Sequence, residues 1–237
     1  MLNRPKLIYT GIFFSLPFFA FINSFKPQQE NQPPIVKIIS PQNNASFDPN
    51  SPITYKITVS DKEDGESKYD EINVKEVLLE VRHLQKGKAA TKAVQDDPPG
   101  LAAMRISNCF NCHSFNGKLI GPSFYEMSKR YSATKSNMDS LIKRIREGSA
   151  GIWPGREKMP AHPELKADEI KNMVQWIMKY GADPEVTYYV GLEGSFRIDP
   201  DKKGAYMLAA SYIDHGLKNA PATKHLKGQD VVIINIK

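Results

Sequence analysis

The spacing of apolar residues changes twice along the chain. Up to about residue 90, and again after residue 185, apolar residues alternate with polar ones or form short runs, a pattern typical of β-strands. Between residues 97 and 182 they recur every three to four positions, which indicates amphipathic helices. The pattern therefore predicts a helical segment between two β-rich segments.

Both β-rich segments contain short predicted strands. These cover residues 35–39, 53–59 and 77–81 in the first segment, and 186–190, 196–198, 205–212 and 231–236 in the second. The last two are predicted to form a hairpin. Neither segment alone has the roughly seven strands of a complete sandwich. We therefore expect residues 34–90 and 186–237 to form one β-sandwich that carries the helical unit as an insertion. Two separate small β-units are the alternative.

The helical segment, residues 97–182, contains three predicted helices. They cover about residues 100–112, 137–147 and 167–180. In the last of these, apolar residues share one face from Ile170 to Met178, and Asp168 and Glu169 lie in the first turn. Gly148 and Gly181 follow the second and third helices, where glycine commonly ends a helix. Each helix is expected to bury one apolar stripe.

The first 25 residues have the layout of a secretory signal. Arg4 and Lys6 precede an apolar run from Leu7 to Ile22, and polar residues follow it. The run has 16 residues, fewer than the roughly 20 that span a bilayer. We expect residues 1–25 to be a cleaved signal peptide and the protein to be periplasmic or secreted. Membrane association would follow only if this segment remained uncleaved.

Composition and charge narrow the class of protein. Of the 237 residues, 41% are hydrophobic and 24% are charged, which excludes a mostly disordered chain. Residues 101–180 hold thirteen Lys and Arg against seven Asp and Glu, a surplus equal to the net charge of +6 of the whole chain. Because these cations are dispersed along helices, we expect an acidic protein partner and no nucleic acid. The candidates for steering that partner are Lys118, Lys129, Arg130, Lys143, Arg144, Lys158 and Lys166.

The strongest chemical signal is the run from Cys109 through Cys112 to His113, which has the attachment pattern of c-type haem. On a helical turn, positions i, i+3 and i+4 share one face. The two thiols can therefore add to the two vinyl groups of one haem while the imidazole reaches the iron. A redox dithiol would need a thioredoxin-like context, and a structural zinc site would need a fourth ligand. One covalently attached haem c is expected.

The second axial ligand is expected to be Met159. It lies in the loop from Gly155 to Pro163, 46 residues after His113 and just before the last helix, so the loop can close over the haem. His162 in the same loop, or an open iron site, is the alternative. The methionines on helical stripes are expected to fill the core. They are Met138, Met173 and Met178.

Residues 97–182 resemble the short bacterial class I cytochromes c. The resemblance rests on the haem motif followed by Ile-Gly-Pro-Ser (120–123), Gly-Ser-Ala-Gly-Ile-Trp (148–153), Lys-Met-Pro (158–160) and a terminal helix with Trp176. It implies that Pro122 braces His113, that Trp153 packs beside the haem and that Met159 is the axial sulfur. One departure is the insertion-like stretch Pro154–Glu157.

The flanking segments resemble PKD-like or immunoglobulin-like modules of secreted bacterial proteins. The resemblance rests on Ile-Ser-Pro-Gln-Asn-Asn-Ala-Ser-Phe (39–47), Val-Ser-Asp-Lys-Glu-Asp-Gly (59–65) and the terminal hairpin. The whole arrangement is similar to the cytochrome-bearing C-terminal region of predicted quinoprotein sugar dehydrogenases. It implies a multidomain protein, with an all-α class I cytochrome c domain and an all-β immunoglobulin-like sandwich.

The implied function is single-electron transfer without catalysis. The chain would carry electrons between a periplasmic or extracellular dehydrogenase, acting on a sugar or an alcohol, and a downstream acceptor, with the sandwich as docking module. One alternative is a carbohydrate- or surface-binding module with an accessory haem, in which tyrosines stack on sugar. A second is a haem enzyme or gas sensor with an open iron site. The candidate stacking residues are Tyr188, Tyr189, Tyr206 and Tyr212.

Two further groups of residues have simpler interpretations. The acidic residues of the 61–66 turn could hold calcium, but a solvated turn is favoured because the turn does not match an EF-hand loop. Three histidines have no partner at ligand spacing in the sequence and are interpreted as isolated. The acidic residues are Asp61, Glu63, Asp64 and Glu66, and the histidines are His83, His215 and His225.

Overall fold

The computed structural model describes residues 30–84, 96–220 and 224–237. The predicted signal peptide, residues 1–25, lies outside these ranges. The strands are β1 Ile35–Ser40, β2 Ala45–Phe47, β3 Ile53–Asp61, β4 Gly65–Glu66, β5 Leu78–His83, β6 Val186–Val190, β7 Glu193–Phe196, β8 Gly204–Ile213 and β9 Lys227–Ile236. The α-helices are α1 Pro99–Ile106, α2 Phe124–Arg130, α3 Lys135–Glu147 and α4 Ala167–Tyr180, and 3₁₀ turns occupy Ser67–Tyr69, Val74–Glu76 and Cys109–Asn111.

The strands form two sheets, and each sheet combines strands from both sides of the helical segment. In the first sheet β3 pairs antiparallel with β1, β4 and β7. The second sheet has the order β2-β9-β8-β5-β6, antiparallel throughout except for the parallel β2/β9 pair. The predicted terminal hairpin is present as β8 and β9, which pair from Gly204 with Ile236 to Ile213 with Lys227.

The two sheets pack face to face over one apolar core. Alternate residues of β3 are buried, as the period of two predicts. They meet inward-facing residues of the second sheet, among them Leu79, Leu208 and Ile234. Tyr212 and Tyr206 are also buried in this core. Those two rings, and Tyr188 in a second core, are therefore closed to a sugar ligand, which counts against the alternative in which they stack on sugar.

The outer face of the second sheet forms a second core with the helices. Leu78, Val186 and Tyr188 lie on that face and pack in one cluster with α1 and α4. The rings of Tyr188 and Phe115 stack at 4.7 Å, and Trp176 lies 5.7 Å from Tyr188. The helical unit is thus fixed to the sheet by buried aromatic side chains.

A buried ionic network reinforces this junction. The Arg105 guanidinium on α1 donates to Asp97 Oδ2 at 2.8 Å, to Ser211 Oγ at 2.9 Å and to the carbonyl of Glu76 at 3.1 Å. Lys227 on β9 also contacts Asp97. The Arg105 side chain is only 3% exposed, so these partners are needed to compensate its buried positive charge.

Several predicted element boundaries were wrong. The helix expected over 100–112 ends at Ile106, because Asn108 adopts the left-handed conformation with φ 56°. Helix α2 was not predicted; its seven residues are too few for a periodic signal. The strand expected at 196–198 is β7, which ends at Phe196. Gly181 follows α4 with φ −59°, so it is not a left-handed cap. Glycine is needed there because a Cβ would lie only 2.5 Å from the Ile177 carbonyl oxygen.

Within the described ranges, none of the helices is long and apolar enough to span a bilayer.

Candidate functional site

The two cysteines border an apolar cavity inside the helical unit. The cavity has about 1270 Å³ of space free of atoms, counted with its open mouth. Its wall combines the haem-motif residues Cys109, Cys112 and His113 with Met159 and Trp153 of the loop between α3 and α4. All six predicted site residues, including Pro122, therefore line one cavity.

The local backbone brings the three motif side chains together without a long helix. After Asn108 the chain makes a single 3₁₀ turn, in which Cys112 N donates to Cys109 O at 3.2 Å. His113 N donates to the same carbonyl at 2.9 Å, an α-type i to i+4 bond. The i, i+3, i+4 arrangement is therefore present although the predicted helix is shorter.

His113 is held in one tautomer and one orientation. Its Nδ1 lies 2.7 Å from the Pro122 carbonyl oxygen, which can only accept, so Nδ1 carries the proton. Nε2 then has a free lone pair, the arrangement that a metal-ligating histidine needs. Burial lowers the pKa of His113 and outweighs the Pro122 carbonyl, so the ring is neutral at neutral pH.

Gly121 and Phe124 enclose the His113 ring. The Phe124 ring stacks on the imidazole at 5.8 Å with an interplanar angle of 24°. A Cβ added to Gly121 would lie only 2.4 Å from His113 Cε1, closer than real Cβ contacts come. Only glycine lets this loop approach the ring, and sequence reasoning missed it because glycine is common in loops of every kind.

Before haem is attached, both cysteine side chains are half-buried. Burial raises the pKa of the Cys109 thiol to about 12, so it is protonated at neutral pH. A redox dithiol needs a depressed thiol pKa in a partly exposed, electropositive site. The raised pKa of Cys109 therefore does not fit a redox dithiol.

The loop that carries Met159 is closed at its base. Ser149 N donates to Met159 O at 3.0 Å, and Met159 N donates to Ser149 O at 2.8 Å. Gly148, with φ 82°, ends α3 and lets the chain turn into this bridge. His162 also lines the cavity, but its Nδ1 is 3.1 Å from Glu164 Oε1.

Trp153 is half-buried and tied to α2. The Arg130 guanidinium lies 4.4 Å from the centre of its ring, and Tyr131 meets it edge-on at 6.3 Å. Tyr131 in turn accepts a hydrogen bond from Arg144 Nη1 at 2.7 Å. Two of the seven predicted steering residues are thus engaged in holding the loop.

Sequence reasoning also missed part of the cavity wall. Met104, Met127 and Met173 line it, and Met104 and Met173 are almost fully buried. Arg156, in the insertion-like stretch, lines it as well. The spacing of apolar residues on α4 predicted that Met173 is a core residue. Spacing alone does not distinguish a residue that fills a core from one that lines a cavity.

The donor set and the shape of this cavity fit a haem. The cavity wall is mostly apolar, a neutral imidazole offers a lone pair, and two thiols stand one helical turn apart. Thioether sulfurs line the same space. Imidazole and thioether are axial ligands that haem iron takes in electron-transfer proteins.

The acidic turn and the isolated histidines turn out to be structural. Asp61 Oδ1 accepts from Glu63 N and Asp64 N, which closes the turn on itself. Across the residues that the structure describes, His, Cys, Asp and Glu form no group of three or more that could hold a metal ion. The calcium alternative therefore has no support.

Each of the three histidines has a partner that the sequence did not reveal. His215 lies 3.1 Å from Asp64 and 3.2 Å from Glu76. His83 Nδ1 lies 2.8 Å from Glu185, and His225 Nδ1 lies 2.6 Å from the carbonyl oxygen of Asp214. These partners come from other parts of the chain, and within the described residues none of the three histidines belongs to a cluster that could hold a metal ion.

Comparison with known proteins agrees with the chemistry of this site. Residues 81–181 match the family described as Cytochrome c. Cytochrome c-551 of Azotobacter vinelandii is 33% identical over 76 residues, covering 32% of this chain and 90% of that protein. Cytochrome c-552 of Hydrogenobacter thermophilus is 32% identical over 87 residues, covering 33% of this chain and 87% of that protein.

A solved structure is also similar. The chain aligns with wild-type cytochrome c552 of Nitrosomonas europaea at 25% sequence identity and a TM-score of 0.32, covering 33% of this chain and 96% of that one. With Cys109 and Cys112 as its single attachment pair, this chain belongs to the cytochrome c family and is a monohaem electron carrier that binds haem c covalently.

Proposed function

We propose that this chain is an exported cytochrome that moves single electrons between a dehydrogenase and a downstream acceptor, with His113 and Met159 as its axial ligands. The observation that carries the ligand assignment is the meeting of the two residues in one cavity wall, each fixed by backbone hydrogen bonds. When bound, the haem supplies a reversible one-electron Fe(III)/Fe(II) couple.

The protein's own residues have distinct tasks in this function. The Pro122 carbonyl keeps the His113 proton on Nδ1, so Nε2 stays available as a ligand. The Ser149 bridge holds the Met159 backbone in place. A soft thioether favours the ferrous state and raises the potential. Trp153, stacked on Arg130, covers one side of the cavity.

The Met159→Ala variant tests the ligand assignment. Ferric haem with a bound methionine sulfur shows a characteristic weak absorption band at the far-red end of the visible spectrum, distinct from the bands of high-spin ferric haem, and we expect the purified holoprotein to show it. Met159→Ala should lose the band and bind carbon monoxide in the ferrous state, which the wild-type protein should not do. His162→Ala, altered in the same loop, should keep the band. A band that survives in Met159→Ala would contradict the assignment.

We further propose an acidic redox protein as the partner. Five of the predicted steering lysines are exposed on the helical unit, and the cation surplus of the chain is concentrated there. Complementary charge raises the rate of electron-transfer encounters. The partner proposed is a dehydrogenase that acts on a sugar or an alcohol. The exposed lysines are Lys118, Lys129, Lys143, Lys158 and Lys166.

The proposal assigns the β-strands to one immunoglobulin-like or PKD-like docking unit, residues 34–90 together with 186–237. Pairing of β5 with β6 and β8 across the helical insertion supports a single unit. We also propose that residues 1–25 direct export and that the protein is periplasmic or secreted. Covalent attachment supports this location, because it prevents loss of the haem outside the cytoplasm.

A further inference from the structure

Arg156 turns inward from an otherwise exposed stretch of the ligand loop. It lies in the insertion-like stretch Pro154–Glu157, three residues before Met159. Its neighbours Gly155 and Glu157 are exposed, whereas the Arg156 side chain is only 11% exposed and lines the cavity. A guanidinium that gives up its hydration needs protein partners.

Those partners belong to the segment that orients His113. Arg156 Nη1 donates to the Leu119 carbonyl at 3.0 Å, and Nη2 lies 3.2 Å from both oxygens of Glu126. Leu119 precedes Gly121 and Pro122, which contact the imidazole. One side chain of the methionine loop therefore bridges to the histidine side of the cavity.

Glu126 is prepared as the acceptor. It is the N3 residue of a capping box at the start of α2, and its Oε2 accepts from Ser123 N at 2.7 Å and from Ser123 Oγ at 3.1 Å. The backbone N–H of Ser123, with further help from Arg156, holds the pKa of Glu126 below its usual value. The carboxylate is therefore ionised and already positioned, which makes its hydrogen bond to Arg156 charge-assisted on both sides.

Besides Arg156, the loop is held at its base and, through Ile152 and Trp153, by Arg130 and Tyr131. Ser149 and Met159 pair at the base. Farther out, Arg130 donates to the Ile152 carbonyl at 3.0 Å, but Arg130 is exposed and has no carboxylate at that contact. Gly151 and Gly155, both with positive φ, lie between these points and leave the loop backbone permissive. The charged tie at Arg156 is buried on the arginine side only, since the Glu126 side chain is 39% exposed, and it is expected to be the stronger one.

We propose that Arg156 is a positioning residue that holds the Met159 loop closed against the histidine-bearing segment and so keeps the sulfur available to the iron. This inference rests on the proposed ligation by Met159. The thioether is a soft ligand and binds ferric iron less strongly than ferrous iron. In the ferric protein, closure of the loop therefore determines how often the iron site proposed for Met159 is open to another ligand.

Imidazole binding to the ferric holoprotein measures the open fraction. An external ligand can enter only when Met159 has left, so its apparent affinity is proportional to the fraction of molecules with an open loop. Loss of one charge-assisted, partly buried tie should raise that fraction about tenfold. We therefore expect Arg156→Gln to bind imidazole about tenfold more tightly than the wild-type protein, in a spectrophotometric titration.

Matched controls separate positioning from charge. Lys171→Gln removes one positive charge from an exposed side chain of α4, and its imidazole affinity should stay within about twofold of the wild-type value. Glu126→Gln should reproduce the effect of Arg156→Gln, and the double variant should add little to either. Glu126→Gln also provides the test if Arg156→Gln fails to mature.

The outcomes distinguish this inference from the proposed ligation. If the wild-type protein lacks the methionine absorption band, the assignment of Met159 fails and the inference fails with it. If the wild-type protein shows the band but Arg156→Gln and Lys171→Gln bind imidazole equally well, the ligand assignment stands and the positioning role is wrong.

Discussion

At the scale of single residues, the site depends on space and proton placement around His113. The imidazole is bounded by the Phe124 ring, the Pro122 carbonyl and the backbone of Gly121. The hydrogen bond to the Pro122 carbonyl fixes the tautomer of His113. The contacts with Phe124 and Gly121 fix the plane of its ring. A small change in any of these would move Nε2, the atom that is proposed to meet the iron.

Gly121→Ala tests the space behind the imidazole. The added Cβ would lie 2.4 Å from His113 Cε1, so either the loop or the ring must move. We expect a loss of about 1–3 kcal/mol in the free energy of unfolding, together with a changed reduction potential.

Gly117→Ala is the matched control for that substitution. Its Cβ would have only Ser114 Oγ nearby, at 3.7 Å, an ordinary contact. Urea unfolding and redox titration of both variants give the comparison. Equal stability and equal potential in the two variants would show that the close approach at Gly121 has no energetic consequence.

At the scale of elements, short irregular segments connect the two sheets around His215. The imidazole lies between Asp64, in the turn from β3 to β4, and Glu76, in the 3₁₀ turn before β5. Tyr212 on β8 donates to the same Asp64 carboxylate at 2.9 Å. Burial opposes protonation of His215, but the two carboxylates outweigh it and raise the pKa of His215 above 6.5.

This arrangement predicts a pH dependence of stability. Because the folded-state pKa is raised, the contribution of His215 is fully present below about pH 6.5 and is lost as pH rises through the folded-state pKa. The effect should be small, since the side chain is 58% exposed. Urea midpoints measured across this window should fall more for the wild-type protein than for His215→Gln. The same slope in both proteins would rule out this contribution.

At the scale of the whole molecule, the helical unit and the sheets share buried structure. Tyr188 and Phe115 stack across the junction, and Arg105 on α1 reaches Ser211 on β8 and Asp97. A junction of this kind favours a single cooperative unit over two units on a flexible tether. The β-strands would then hold the helical unit in a fixed orientation.

Arg105→Ala tests the junction. It leaves the Asp97 carboxylate with Lys227 alone and removes four hydrogen bonds of the guanidinium, at 2.8–3.1 Å. We expect destabilisation of about 3 kcal/mol. Haem absorbance, which reports the helical unit, and far-ultraviolet circular dichroism, which also reports the sheets, should give one coincident unfolding transition in the wild-type protein and separated transitions in the variant.

Arg146→Ala is the control for this prediction. Arg146 is an exposed cation in the last turn of α3, so its loss should change stability by less than about 0.5 kcal/mol. Separated transitions already in the wild-type protein would contradict a cooperative junction.

The sequence by itself determined the haem attachment, the class of the helical unit and most of the regular elements. The spacing of Cys109, Cys112 and His113 is a local property that one turn of backbone realises, and β6 and α4 have the predicted bounds because their periodic patterns are long enough to read. Such features depend on neighbours a few residues away, which are visible in the sequence.

Only the tertiary structure decided which distant residues meet. The contact of Arg156 with Glu126 joins residues 30 apart, that of Arg105 with Ser211 residues 106 apart, and the turn of Asp64 finds Tyr212 at a separation of 148. No periodicity encodes these partners, because each results from the packing of separate elements. The candidates for sugar stacking in the alternative function, Tyr188, Tyr206 and Tyr212, lie in the cores. Alternation along a strand gives two faces but does not say what covers each one, so only the structure could settle their place.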